Sequence, residues 1–296
     1  EKNSSLGFGI YYWSINLGAF IFPLFLIPWL KGMGWHYIFI MAAVGTGWLF
    51  LFNILAFKEP PRPKSTKSIG QTLKEMVFVL GNVRFISLIV IYSLFWVLYF
   101  QMYDSVLWYM TDHLNMQPVN DIVNSFLSMF MANPDWKFEA EHVTVVNAGV
   151  IILLQLIVSA LVRKTKALPT MIIGIGFGTL GMAMLAISAS PWLFIAGIMI
   201  FTVGEMVAHP KFISYIGLIA PPDKKATYLG YSFLYGVIGS GVGAFVGAHL
   251  YVRYIEVTFN PQALWLIFSS IGVISILGLL LYNWIYGKSG SQTQAK

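Results

Sequence analysis

The sequence predicts an all-α membrane protein with eight spanning helices, and three observations carry that prediction. Of its 296 residues 57% are hydrophobic and only 10% are charged, against about 25% charged in an ordinary soluble domain. The mean hydropathy is +0.73. Apolar stretches long enough to cross a hydrocarbon core of about 30 Å recur along almost the whole length, whereas barrel strands would be runs of about 10 residues with alternating polarity. There are no cysteines, so disulfides, thiolate metal sites and cysteine nucleophiles are excluded. The opening "EKNSSLGFGIYYW" has neither a basic leader nor a small-residue cleavage site, and no cleavable signal peptide is expected.

The expected spans are 6–30, 35–57, 86–110, 143–162, 168–190, 192–219, 226–252 and 263–286. Each has about 20 to 28 residues, enough to cross with some tilt. Between the second and third runs "KEPPRPKSTKSIGQTLKEMVFVLGNVRF", a proline-rich basic segment followed by a short amphipathic helix over 69–80. It divides the helices into two plus six. The expected organisation is therefore two helices in 1–57, a basic connector over 58–85, and a six-helix bundle over 86–296. The bundle carries one long loop, 111–142. Within it "DIVNSFLSMF", opened by Asp121 as a cap, reads as a short surface helix.

Orientation follows from Lys and Arg, because positive charges near helix ends are retained on the cytoplasmic side. With the N-terminus inside, fourteen of the eighteen cationic residues lie inside and only Lys31, Lys137 and Arg253 outside, with Lys211 within a span. Both termini are expected to be cytoplasmic, and loop 111–142 external. This charge asymmetry is also the natural reading of the net +6.

A charged residue at the bilayer centre costs about 2.5 to 3.5 kcal/mol on insertion scales, so each is a functional hypothesis by default. "GEMVAHPKF", residues 204–212, places three ionisable groups in one oily stretch. Glu205 falls at the middle of its span, whereas Asp104 lies in the outer third of its own, within reach of interfacial water. His209 is four residues on from Glu205, on the same helix face. Pro210 removes the hydrogen bond to the Met206 carbonyl, opening a kink with spare acceptors beside the carboxylate. One reading has Glu205 facing a water-filled cavity, taking up a proton or pairing with a cationic group. The other is an ion pair with His209 or Lys211 that only locks helices together. Lys211 by itself reads as a side chain snorkelling to the inner surface. His36, His113, His142 and His249 fall at membrane edges or in the loop and suggest no chemistry.

"GSGVGA", 239–244, matches a dinucleotide-binding pattern, but with no strand before it and no helix N-terminus to receive a pyrophosphate the nucleotide reading fails. Gly239, Gly243 and Gly247 repeat every four residues, as Gly174 and Gly178 do, which lets helices approach backbone to backbone. Such smooth faces can equally slide in a transporter. No zinc-ligand spacing and no serine-nucleophile elbow is present, so an enzyme is the reading with least support.

"FGIYYWSINLGAF", 8–20, has aromatics at Phe8, Tyr11 and Tyr12 followed by Ile15, Asn16, Gly18 and Ala19. It resembles the fifth-helix signature of the proton-dependent oligopeptide transporters, a branch of the major facilitator superfamily. "GWHYIF", "FWVLYFQ" with Gln101, and "GEMVAHP" agree in order, the last resembling the family's tenth-helix G-E-x-x-x-x-P. The resemblance covers essentially the whole sequence and makes the eight helices similar to the fifth to twelfth of twelve. It implies four further helices completing the bundle, a plasma or bacterial inner membrane location, and no cofactor beyond a proton gradient.

The resemblance further implies that Glu205 meets a peptide amino terminus, that Asn147 in "VTVVNAGVIIL" assists it, and that Asn16, Tyr12 and Gln101 are polar cavity residues. It implies a gating role for Asp104. Ala148 stands where the family usually has proline, His209 where a small hydroxyl residue is commoner, and Ser232 where a tryptophan is usual. His209 is thereby a candidate both for substrate contact and for proton coupling. The function implied is proton-coupled symport of di- and tripeptides by alternating access. Two rivals stand beside it: the same fold carrying a sugar, nucleoside, amino acid or drug, and a non-transporting membrane interaction subunit using 111–142 as its contact surface.

Overall fold

The structure, a computed structural model, describes residues 14–58 and 68–290. Among these, eight helices are long and apolar enough to cross a membrane: α1 (Ser14–Met33), α2 (Trp35–Ala56), α4 (Val83–Asp112), α6 (Glu141–Val162), α7 (Ala167–Met184), α8 (Pro191–Ile219), α9 (Pro222–Val257) and α10 (Pro261–Gly290). Two short helices lie between them, α3 (Ile69–Leu80) and α5 (Gln117–Leu127). The expected spans are thus present and in order. The protein is an all-α integral membrane protein, because only helices or closed barrels satisfy their own backbone groups in lipid.

The packing follows the side chains available. Helices α4, α7, α8, α9 and α10 bury one contiguous core of aromatic and branched residues, with Phe85, Phe95, Phe201, Phe212, Trp265 and Tyr282 among its fully enclosed members. The α7–α8 contact is the most extensive, and glycine makes it possible. A methyl on Gly174 would lie 2.7 Å from the Ala208 nitrogen and 2.8 Å from the Gly204 carbonyl. A methyl on Gly181 would lie 2.8 Å from the Phe201 nitrogen. The two backbones therefore touch, as small-residue faces allow. The expected glycines Gly174 and Gly178 are in this seam, joined by Gly181, Gly197 and Gly204 from both helices.

The second glycine face, Gly239, Gly243 and Gly247, packs α9 onto α4. A methyl on Gly239 would meet the Trp96 Cβ at 2.6 Å, and one on Gly247 would collide with the Gln101 side chain. By contrast α2 makes its contacts with α1 and buries none of its residues. The sequence there is apolar on every face, the pattern of a helix surrounded by lipid or by further helices.

Two local geometries differ from expectation. Helix α4 breaks at Asp104 (φ −109°, ψ −92°) before continuing to Asp112. The surface helix α5 begins four residues before Asp121, with Pro118 in its first turn, where proline's missing N–H costs nothing. Asp121 is therefore not its cap. Its carboxylate accepts from the Gln117 side chain at 2.7 Å, and Asn115 Oδ1 accepts from the Gln117 backbone N–H at 3.0 Å.

Candidate functional site

Helix α8 crosses as 29 residues without interruption, passing through Pro210. The glycine seam with α7 fixes how deeply and at what rotation it sits, and Glu205 directly follows Gly204 in that seam. The result is a carboxylate 8% exposed in the interior of a spanning helix. A buried charge demands a partner, and α6 supplies it: Asn147 Nδ2 donates to Glu205 Oε2 at 3.2 Å. The same amide nitrogen donates to Thr202 Oγ1 at 2.9 Å. Thr202 is fully buried, and its hydroxyl donates to the Ile198 carbonyl at 2.8 Å.

Asn147 and Thr202 also line a cleft between α4, α6 and α8, walled by Tyr99, Tyr103 and Phe201. It is too narrow to hold a water molecule. Glu205 lies one turn along α8 from its Thr202 edge. Neither ion pair weighed for Glu205 is present among the described residues. Lys211 donates to the Thr165 carbonyl at 2.8 Å, reaching past its own helix to the end of α6. The His209 ring stands against Trp96 and Tyr235, with centroids 5.5 and 5.6 Å apart, and its Nδ1 is 3.4 Å from the Tyr92 hydroxyl.

A sequence-family model described as the Major Facilitator Superfamily matches residues 1–244. The chain belongs to the Major Facilitator Superfamily. No curated protein matches it. Solved structures agree on the fold of this facilitator. A POT family transporter in complex with a thioalcohol-conjugated peptide is similar at TM-score 0.66 and 18% identity, over 98% of this chain and 70% of that one. A mutant of a peptide transporter POT in complex with alafosfalin is similar at TM-score 0.70 and 17% identity, over 98% and 69%. A POT family transporter in complex with 5-aminolevulinic acid is similar at TM-score 0.67 and 17% identity, over 98% and 70%.

The remaining candidate residues of this facilitator are placed as follows. Asn16 is buried on α1 at 8% exposed; that helix approaches α6 through Phe20, whose ring is 3.1 Å from where a methyl on Gly149 would stand. Tyr12 lies outside the described residues. Gln101 is fully buried in the α4–α9 seam, its Nε2 donating to the Gly243 carbonyl at 3.0 Å and its Oε1 accepting from Ser105 at 2.6 Å. Its amide is thus committed to packing two helices. Asp104 sits half-buried at the α4 break. Ser232 is fully buried and donates to the Leu229 carbonyl at 2.6 Å. Sequence reasoning missed Thr202. Its signal was there to find: a hydroxyl residue three before Glu205, on the same helix face.

Proposed function

We propose that this facilitator is a proton-coupled symporter of di- and tripeptides working by alternating access. The observation that carries the reading is the buried Glu205 carboxylate with one oxygen held by the Asn147 amide. Its other oxygen, Oε1, is without a partner among the described residues. Such a group can bind a proton or an ammonium but not both, and that exclusion couples two fluxes. Protonated and ionised Glu205 then favour different states of the bundle. The peptide-like ligands of the similar POT structures support a peptide as substrate. The fifth-helix resemblance, with Asn16 and Tyr12 as substrate-binding residues of the first bundle, and Asp104 and His209 as gate and proton-coupling groups, belongs to the same reading. So do cytoplasmic termini and the division of the chain at the connector 58–85.

The test is accumulation of a labelled dipeptide by vesicles holding the full-length protein under an inward proton gradient. Glu205→Gln abolishes gradient-driven accumulation while the protein still inserts and is purified at wild-type yield. Accumulation at the wild-type rate in that variant sinks the proposal. The aromatic surround of His209 favours a second reading, the same fold carrying another small solute. A panel of dipeptides, sugars, nucleosides and amino acids separates the two by thermal shift, because a ligand that binds the folded state stabilises it.

A further inference from the structure

The hydrogen-bond chain behind Glu205 has a direction, and Thr202 sets it. A threonine hydroxyl has one proton and can accept besides. That proton goes to the Ile198 carbonyl one turn back, at 2.8 Å, so toward Asn147 the hydroxyl presents a lone pair. The Asn147 amide must then turn its nitrogen to Thr202, at 2.9 Å, and the same nitrogen reaches Glu205 Oε2 at 3.2 Å. Both N–H groups of the amide are thereby used. Two acceptors are left without partners among the described residues, Asn147 Oδ1 and Glu205 Oε1, on side chains already joined by a hydrogen bond, and a pair of acceptors suits a group that only donates. An ionised Glu205 also demands the amide nitrogen, but a protonated one does not, and a hydrophobic residue at 202 would then remove the remaining contact that tells the two ends of the amide apart. It would leave Asn147 free to turn its oxygen toward the carboxylate whenever Glu205 holds a proton.

We propose that Thr202 is a positioning residue for substrate selection: by fixing the amide orientation of Asn147 it presents Asn147 Oδ1 together with Glu205 Oε1 to a primary ammonium. The inference rests on the function proposed above and adds to it the residue that makes the site selective for an unblocked amine. Thr202 does not touch the substrate amine; it acts through Asn147.

The test uses the full-length protein with dialanine and N-acetyl-dialanine, which differ in the ammonium alone. Wild type, Thr202→Val and Thr202→Ser are compared in proton-driven uptake and in ligand-induced thermal shift. Thr202→Val raises the KM for dialanine by about tenfold, the scale of one well-made buried hydrogen bond, with kcat within about twofold. It also narrows the gap between dialanine and its acetylated form, and Thr202→Ser restores both. If Thr202→Val weakens the two ligands equally, or lowers kcat and KM together with a fall in melting temperature that serine does not rescue, the residue is only part of the packing and the inference is overturned. Wild-type behaviour in Thr202→Val overturns it too. Glu205→Gln, measured alongside, separates the two failures: if it transports normally the proposed function falls, and if it alone is inactive only the role of Thr202 does.

Discussion

Lys31, near the end of α1, holds its ammonium 3.0 Å from the Glu141 carboxylate at the start of α6 and bonds Glu139 as well. The ring of Trp35 lies 5.2 Å from the same ammonium. The bridge spans 110 residues of sequence and joins the first described span to the bundle that follows the connector. The Lys31 hydrogen bond holds the Glu139 carboxyl below the usual carboxylate range, against the opposing effect of its partial burial.

A glutamate whose folded-state pKa is lowered contributes stability that is present above its unfolded value and lost as pH falls through its folded value. Thermal stability of the protein therefore declines below the ordinary glutamate range, and Lys31→Met removes that share of the decline. Because the pair is only partly screened from solvent, the Lys31 and Glu141 coupling is expected to be about 1 kcal/mol or less. A double-mutant cycle in melting temperature, with the swapped pair Lys31→Glu and Glu141→Lys recovering part of the loss, checks it.

The seam that seats Glu205 has no room for a methyl. A Cβ on Gly204 would lie 2.6 Å from the Gly178 nitrogen, and backbone cannot step aside as a flexible side chain can. Gly204→Ala is expected to cost more than the roughly 1–3 kcal/mol of ordinary overpacking, and to lower transport as α8 shifts. Gly176, on the same partner helix, has open space where its methyl would go. Gly176→Ala leaves melting temperature and uptake within error, so a comparable loss in both variants would refute the account.

Much of this was legible in the sequence. Eight spans, the two glycine faces and the buried midspan Glu205 follow from hydropathy, four-residue spacing and the cost of a charge in lipid. The limits were side-chain direction and local turn chemistry. Gln101 reads as a polar residue in an oily helix, yet which face it takes depends on the Gly247 gap in a helix about 140 residues away, which no local pattern reports. Asp121 looks like a cap because it precedes an apolar run, but Pro118 starts the helix earlier. Lys211 reads as a side chain snorkelling to the inner surface, and what it finds is the Thr165 carbonyl, an acceptor that only the fold brings near. Thr202 was overlooked because a hydroxyl in a spanning helix is usually satisfied by its own i−4 carbonyl. That bond is present here, and it is what orients the second one.

The position of Gln101 yields the sharpest separation between packing and substrate contact. Its amide donates to the Gly243 carbonyl and accepts from the Ser105 hydroxyl, so Gln101→Leu strips partners from two groups buried between α4 and α9. Leaving buried polar groups unsatisfied costs about 1–3 kcal/mol, and the branched side chain must also fit against Gly247, where the amide already fills the space a methyl would need. The expected outcome is a lower melting temperature with dipeptide KM unchanged in the protein that remains folded. Gln101→Glu, which keeps the shape but replaces a donor with an acceptor against the Gly243 carbonyl, falls further in stability with the same unchanged KM. A rise in KM at wild-type stability in either variant would instead move Gln101 into the substrate path and require α4 to rotate during the cycle.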